Sequence, residues 1–308
     1  MITLDITVIG AGAIGGYFGA RLAESGLNVT FLVREKRAEQ LRTRGLVVKS
    51  VYGDFSIKEP QVVLDSQEIP HCDLVLFCLK NYQMASSFPH LKDLVSRGAK
   101  ILPLSNGVEH FEILAQEFGQ ENVIGGNCKT NTTLDAEGNV VHSSILHKLI
   151  FGEIHPSQKD FCLELQQTLA KAHLEVIYSE NMWVEIWVKY AFITVFAGVT
   201  TAGNLTTDII YENEVTRELF RRALEEMYHL AEAYGAKLPD DYVSFNVESL
   251  AKYPKGTTTS LHQDLKKGLS LEVESLQGAA VRLAARKNVK LPIIETLYCL
   301  IKPHELGQ

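Results

Sequence analysis

The residues most capable of chemistry begin with a glycine run near the start of the chain. Gly10-Ala11-Gly12-Ala13-Ile14-Gly15 follows the apolar run ITVIG and precedes GYFGARLAESG, a strand-to-helix turn with GxGxxG spacing. Gly10 would make the tight turn, Gly12 would let a pyrophosphate approach the backbone, and Gly15 would let helix and strand pack closely. A helix opening at Ala13 and Ile14 would offer amide donors and the positive end of its dipole. A glycine-rich turn without a ligand is the plainer alternative. The position after a β run and inside a βαβ pattern favours a dinucleotide. At the end of the second strand, FLVREKR puts Arg34 where NAD sites usually carry an acid, with Lys36 and Arg37 close behind. A guanidinium suits a 2′-phosphate, which favours NADP (as NADPH), while Glu35 keeps an NAD ribose open.

The second candidate is Lys189, inside the apolar stretch WVEIWVKYAFITVFAGVTTAG from Trp183 to Gly203. At about 100° per residue it shares a helix face with Ile186, Ile193, Phe196 and Thr200. An ammonium among apolar neighbours gives up its proton more readily than one in water, which suits a general acid. An ion pair with Glu185, or a buried stem with a snorkelling head, is the structural alternative. Two more polar residues close strand-like runs, where dinucleotides dock: Lys80 after LVLFCL and Asn106 after KILPLS. Asn106 with Glu109 also has the spacing of a capping box for the helix VEHFEILAQEF, and Ser260 with Gln263 has the same spacing in TTTSLHQDLKKGLSLEVE. A cap serine is well placed to receive a substrate carboxylate. Glu272 reads as a helix residue, with a solvated face as its plain interpretation.

These residues need elements to position them. Short β-branched runs (ITVIG, NVTFLV, LVLFCL, KILPL and NVIGG) alternate with helical patterns through the first half, the mark of a parallel sheet covered by helices. Between them, GLVVKSVYGDFSIKEPQVV reads as a hairpin-type insertion around Tyr52-Gly53-Asp54, and CKTNTTLDAEGNVVHSSILHKLIFGE as antiparallel strands turning at Glu137-Gly138-Asn139. A helix from about Ser157 to Lys171 and a strand LEVIYS follow. After Ser179 long amphipathic patterns take over, including EVTRELFRRALEEMYHLAEAYG and LEVESLQGAAVRLAARKNV. The expectation is an α/β chain: a Rossmann-type dinucleotide-binding domain over residues 1–178, then an all-helical substrate and catalytic domain over 179–308.

Composition narrows the function classes. Apolar residues make up 46% of the 308, enough for a real core, and the net charge of −7 argues against a nucleic-acid surface. Five cysteines without a CxxC pair, and ten histidines without metal-ligand spacing, predict neither a disulfide framework nor a metal site. The start of the chain lacks the basic leader of a signal peptide. The apolar run after Lys189 is too short to cross a membrane. A cytoplasmic protein acting on a small molecule, with no membrane or nucleic-acid partner, is the expectation.

Taken in order along the whole chain, these features resemble the ketopantoate reductase (2-dehydropantoate 2-reductase) family. The resemblance rests on the N-terminal GxGxxG, Arg34, LKNYQ, SNGVEH, WVEIWVK, TSLHQDLKKGLSLEVESLQG and AARKNVKLP. It implies reduction of a 2-oxo acid by NADPH, with 2-dehydropantoate to pantoate, in pantothenate biosynthesis, as the first reaction to consider. It implies that Lys189 is the catalytic lysine and that Glu272 positions the substrate hydroxyl and that lysine. Ser260 would receive the substrate carboxylate, Asn106 would lie near nicotinamide and substrate, and Lys80 and Arg34 would contact cofactor. A homodimer is open as the assembly. Four positions depart from the family pattern: Ile193, Ala197 and Thr257 stand where asparagines are common, and Leu271 where threonine is. A different, more apolar 2-oxo acid therefore stays open as substrate, as does a regulator that binds NADP without turnover.

Overall fold

The computed structural model describes residues 4–307. The chain divides into two compact units, one made of Met1–Ser105 and Phe111–Met182, the other of Asn106–His110 and Trp183–Gln308.

In chain order the first unit runs β1 (Asp5–Ile9), α1 (Ala13–Glu24), β2 (Asn28–Leu32), α2 (Glu35–Arg44), β3 (Leu46–Ser50), β4 (Phe55–Ile57), β5 (Gln61–Val63), β6 (Leu74–Phe77), α3 (Phe88–Ser96) and β7 (Lys100–Pro103). It then continues through α4 (Glu109–Phe118), whose first two residues, Glu109 and His110, belong to the second unit, and on through β8 (Gly125–Leu134), β9 (Val140–Gly152), α5 (Lys159–Leu169) and β10 (Glu175–Tyr178). Five strands form a parallel sheet in the order β5-β2-β1-β6-β7, with Ile6 opposite both Val29 and Leu74. The order changes direction beside β1, so the crevice at its C-terminal end is where such sheets bind ligands. All four residues of β6 are buried, as expected of a strand covered on both faces. This parallel sheet with its helices is the Rossmann-like architecture expected from the sequence.

A second sheet, β10-β9-β3-β4 with β8 paired to β9, adjoins it in the same unit. The expected β8–β9 hairpin is antiparallel, with Leu134 opposite Val140 across the Glu137-Gly138-Asn139 turn. Two details differ from the sequence reading. The NVIGG run does not join the parallel sheet as a strand: only Val123 bridges to Ile101, and from Gly125 the chain pairs with β9 instead. The run read as one insertion splits, because β3 and β4 pair antiparallel while β5 joins β2 in the parallel sheet.

The second unit is helical: α6 (Met182–Gly203), α7 (Thr207–Glu212), α8 (Glu214–Ala233), α9 (Tyr242–Ser249), α10 (Ser260–Lys266), α11 (Ala279–Lys287) and α12 (Pro292–Ile301). Local chemistry sets the ends. The Asn213 side chain accepts from Val215 and Thr216 N–H at the start of α8, Asn288 ends α11 in the left-handed region (φ 53°), and Pro292 opens α12. α6 has 22 residues and is, by length and composition, long and apolar enough to cross a membrane, because the helix includes Glu185 and Lys189 and is not limited to the run after Lys189. Yet 61% of its most apolar window is buried by its own chain. Trp187 is fully buried, stacked on Tyr234 at 5.3 Å and edge-on to Tyr190 at 5.5 Å, while Phe192 and Phe196 meet Phe220 of α8. The helix expected to run on from Leu271 begins later. Residues 274–278 form a π-helical turn before α11, so Glu272 precedes the helix rather than riding on its face.

Candidate active site

The glycine turn is formed as its spacing predicts. Gly10 has φ +93°, a conformation costly for other residues, and its N–H donates to the Leu32 carbonyl at 3.2 Å. A Cβ on Gly15 would lie 2.2 Å from the Gly10 carbonyl oxygen, so only glycine permits this approach of strand and helix. A Cβ on Gly12 would meet nothing within 4 Å. Gly12 is the N-cap of α1 and no side chain caps it, so the helix opens on backbone groups at Ala13 and Ile14. Such a terminus, with open space over Gly12 and no acid in its first turn, suits an extended anion such as a pyrophosphate.

The basic residues around this turn divide by role. Arg34 is exposed at the N-cap of α2, and its Nη2 donates to Ser86 Oγ at 3.3 Å. Lys80 is half-buried at the start of the same 3₁₀ segment, Asn81–Ser87, with its Nζ 5.9 Å from the centre of the Tyr82 ring. The structure thus brings Arg34 to the segment that Lys80 opens. Arg37 does something else. Its Nε donates to the Ala11 carbonyl at 2.9 Å and its Nη1 to the Gly138 carbonyl at 2.9 Å, so it braces the glycine turn against the β8–β9 hairpin.

In the second unit, α6 is the element to which the segments carrying Glu272 and Ser260 are tied. Lys189 lies half-buried on it, with Ile193 half-buried one turn on and Ala197 buried two turns on. Next to Lys189, Tyr190 donates its hydroxyl to the Leu276 carbonyl at 2.8 Å, and Gln277, fully buried, donates from Nε2 to the Thr194 carbonyl at 2.7 Å. These two bonds fix the π turn that follows Glu272 against α6. Glu272 is half-buried, and its carbonyl accepts from Ser275 and Leu276 N–H. Further along α6, Thr200 Oγ1 lies 3.0 Å from Thr259 Oγ1, which ties in the start of α10 and Ser260. A π turn beside a candidate site is a recurrent arrangement.

Two capping expectations change. Thr259, not Ser260, is the N-cap of α10, its hydroxyl accepting from His262 N–H at 3.4 Å; Ser260 is the first helical residue and is exposed. α4 starts at Glu109, whose carboxylate is held by Arg282 Nη2 at 2.7 Å and Arg286 Nη2 at 3.2 Å. The next residue, His110, is buried, and burial, aided by the Lys189 charge, pushes its imidazole pKa down to about 3. Sequence reasoning missed His110, because one histidine in an amphipathic helix carries no signal of its depth. It also missed a grouping of Asp5, His71 and Asp73, whose ligand atoms lie within 4.8 Å of one another. Those carboxylates are already engaged, Asp73 by the Asp5 N–H and Asp5 by Asn28.

A parallel dinucleotide-type sheet with a GxGxxG turn, followed by a helical unit with a half-buried lysine, defines a class of oxidoreductase fold. The chain matches the family described as "Ketopantoate reductase PanE/ApbA" over residues 6–156 and its "C terminal" counterpart over residues 181–305. It belongs to the ketopantoate reductase family of oxidoreductases. It is 31% identical to the "Uncharacterized oxidoreductase YkpB" of Bacillus subtilis, covering 98% of this chain and 99% of that one. The crystal structure of 2-dehydropantoate 2-reductase from Geobacter metallireducens superposes with a TM-score of 0.90 at 29% identity, over 97% of this chain and 99% of the other. A D-mandelate dehydrogenase solved with NADH and anilino(oxo)acetate shares the fold, with a TM-score of 0.89 at 21% identity over 98% of each chain.

Proposed function

We propose that this protein is an NADPH-dependent reductase of 2-oxo acids, with 2-dehydropantoate as the first substrate to test. The observation that carries the reading is Lys189, a half-buried cation on an apolar helix that Tyr190 ties to the turn after Glu272. A bound nicotinamide dinucleotide would supply the hydride to the ketone carbon. The glycine turn and the start of α1 would hold its pyrophosphate, and Arg34 with Lys80 would meet the adenosine side. The Lys189 ammonium would donate to the keto oxygen, stabilise the negative charge that grows there, and deliver the proton. Glu272 would orient that ammonium and a substrate hydroxyl, Ser260 would donate to the substrate carboxylate, and Asn106 would orient the ketone. Five free cysteines support a reducing, cytoplasmic setting.

A second reading keeps the reaction and changes the substrate. Half-buried Ile193 and buried Ala197 continue the Lys189 face with apolar side chains, which favours a 2-oxo acid without a hydroxyl near the ketone. The test is spectrophotometric NADPH oxidation over a panel of 2-oxo acids with and without that hydroxyl. Turnover of 2-dehydropantoate well above the others supports the first reading. Preference for branched or aromatic 2-oxo acids supports the second, and no oxidation with any of them overturns both.

A further inference from the structure

Arg282, on α11, spans two segments that carry candidate residues. Its Nη2 lies 2.7 Å from Glu109 Oε2 and its Nε 3.2 and 3.3 Å from the two Glu109 oxygens. On its other side Nη1 lies 2.6 Å from Glu274 Oε2, and Nη2 also donates to the Glu274 carbonyl at 2.8 Å. Glu109 stands three residues after Asn106 and directly before His110. Glu274 stands two residues after Glu272. One planar cation therefore grips both segments at once, a task for which a guanidinium fork is suited and an ammonium is not.

The arrangement differs from an ordinary surface ion pair, which contributes little. The Glu109 side chain is only 13% exposed and is shared with Arg286. Burial alone would raise the Glu274 carboxyl, but hydrogen bonds from Lys302, Tyr298 and Arg282 hold it down at about 2, so it stays charged at neutral pH. A carboxylate as enclosed as Glu109 that lost its main cation would have reason to move, and the chain on either side of it would follow.

We propose that Arg282 is a positioning residue: by holding Glu109 and Glu274 together, it sets where Asn106 and Glu272 stand relative to the helix that carries Lys189. The inference rests on the reductase reading above. A displacement of about an ångström at a reacting group can cost on the order of a hundredfold in rate, so the clamp acts on turnover more than on affinity.

The test combines kinetics with hydrogen exchange on the full-length protein. Arg282→Ala should raise amide exchange in residues 106–110 by about tenfold, with α8 unchanged. It should lower kcat by about tenfold or more while KM and NADPH affinity move by less than about threefold. Glu109→Gln should act in the same direction, and the double variant should fall short of the sum of the two single losses, because both break the Arg282–Glu109 contact that they share. Arg282→Lys should restore only part of kcat. Unchanged exchange, unchanged kcat or additive losses would overturn the proposal. A wild-type protein inert toward every 2-oxo acid would instead overturn the reductase reading. Exchange alone would then decide the clamp: protection lost in Arg282→Ala supports it, and protection kept overturns it.

Discussion

Gly10, Gly12 and Gly15 lie within one hexapeptide, and backbone geometry alone makes them a turn. Lys189, Glu272, Ser260 and Asn106 lie on separate stretches of chain, and side-chain bonds join those stretches. In the turn, the decisive contact is a missing Cβ, 2.2 Å from a carbonyl oxygen at Gly15. In the helical unit, the decisive contacts are Tyr190 to Leu276, Gln277 to Thr194, Thr200 to Thr259, and Arg282 to Glu109 and Glu274. The cofactor role proposed for the first region depends on what is left out. The chemistry proposed for the second depends on polar groups placed correctly over long sequence separations.

The sharpest way to break this contrast is Lys189→Ala. Turnover should fall by roughly a hundredfold or more, with dinucleotide affinity nearly unchanged, as loss of a general acid predicts. Steady-state kinetics and a fluorescence titration measure the two halves, and near-normal turnover would remove Lys189 from the mechanism. Next comes a pair of glycine variants. Gly15→Ala should lose about 1–3 kcal/mol of stability through overpacking against backbone. Gly12→Ala, whose Cβ meets nothing within 4 Å, should keep its Tm and weaken dinucleotide binding by about tenfold. Equal melting curves for the two would contradict the geometry of the turn. Arg34→Ala should weaken NADPH by about tenfold more than NADH; an equal loss would return Arg34 to a structural role beside Ser86.

The smallest effect concerns pH, and it separates the two regions again, since the glycine turn has no titrating side chain. His110 is held neutral by burial and by the nearby Lys189 charge, with its pKa near 3 against an ordinary 6.5. An unfolded chain takes up this proton as pH falls below about 6.5, whereas the folded one refuses it until about 3. Its contribution to stability is therefore intact above 6.5 and is lost progressively between 6.5 and 3. Urea midpoints between pH 7 and 4 should fall less steeply in His110→Gln than in the parent. Parallel slopes would place the acid sensitivity elsewhere.

What was legible in the sequence follows the same division. The parallel sheet, the glycine turn, the β8–β9 hairpin and the helical second half could be read because periodicity and turn residues are local. NVIGG misled because a short apolar run does not say which sheet it will join, and here the chain pairs with β9 after a single bridge. The cap before α10 was read one residue late, because three threonines precede Ser260 and each is a plausible cap. Glu272 was read onto a helix that starts only after it, since a π turn has no composition of its own. Arg37 stands by charge among the cations behind Arg34, although its Nε and Nη1 donate to the Ala11 and Gly138 carbonyls. The Arg282 fork, which joins positions far apart in the chain, left no trace in any window.

The burial of α6 has a consequence for synthesis. Its 22 residues, mostly apolar, precede in the order of translation every other long helix of the unit that covers them, including α8, whose Phe220 meets Phe192 and Phe196. Until those later helices have been made, the nascent chain presents a segment that a bilayer or a chaperone could accept. A chain interrupted between α6 and α8 would keep that segment exposed, because Phe220 would not yet be there to meet Phe192 and Phe196.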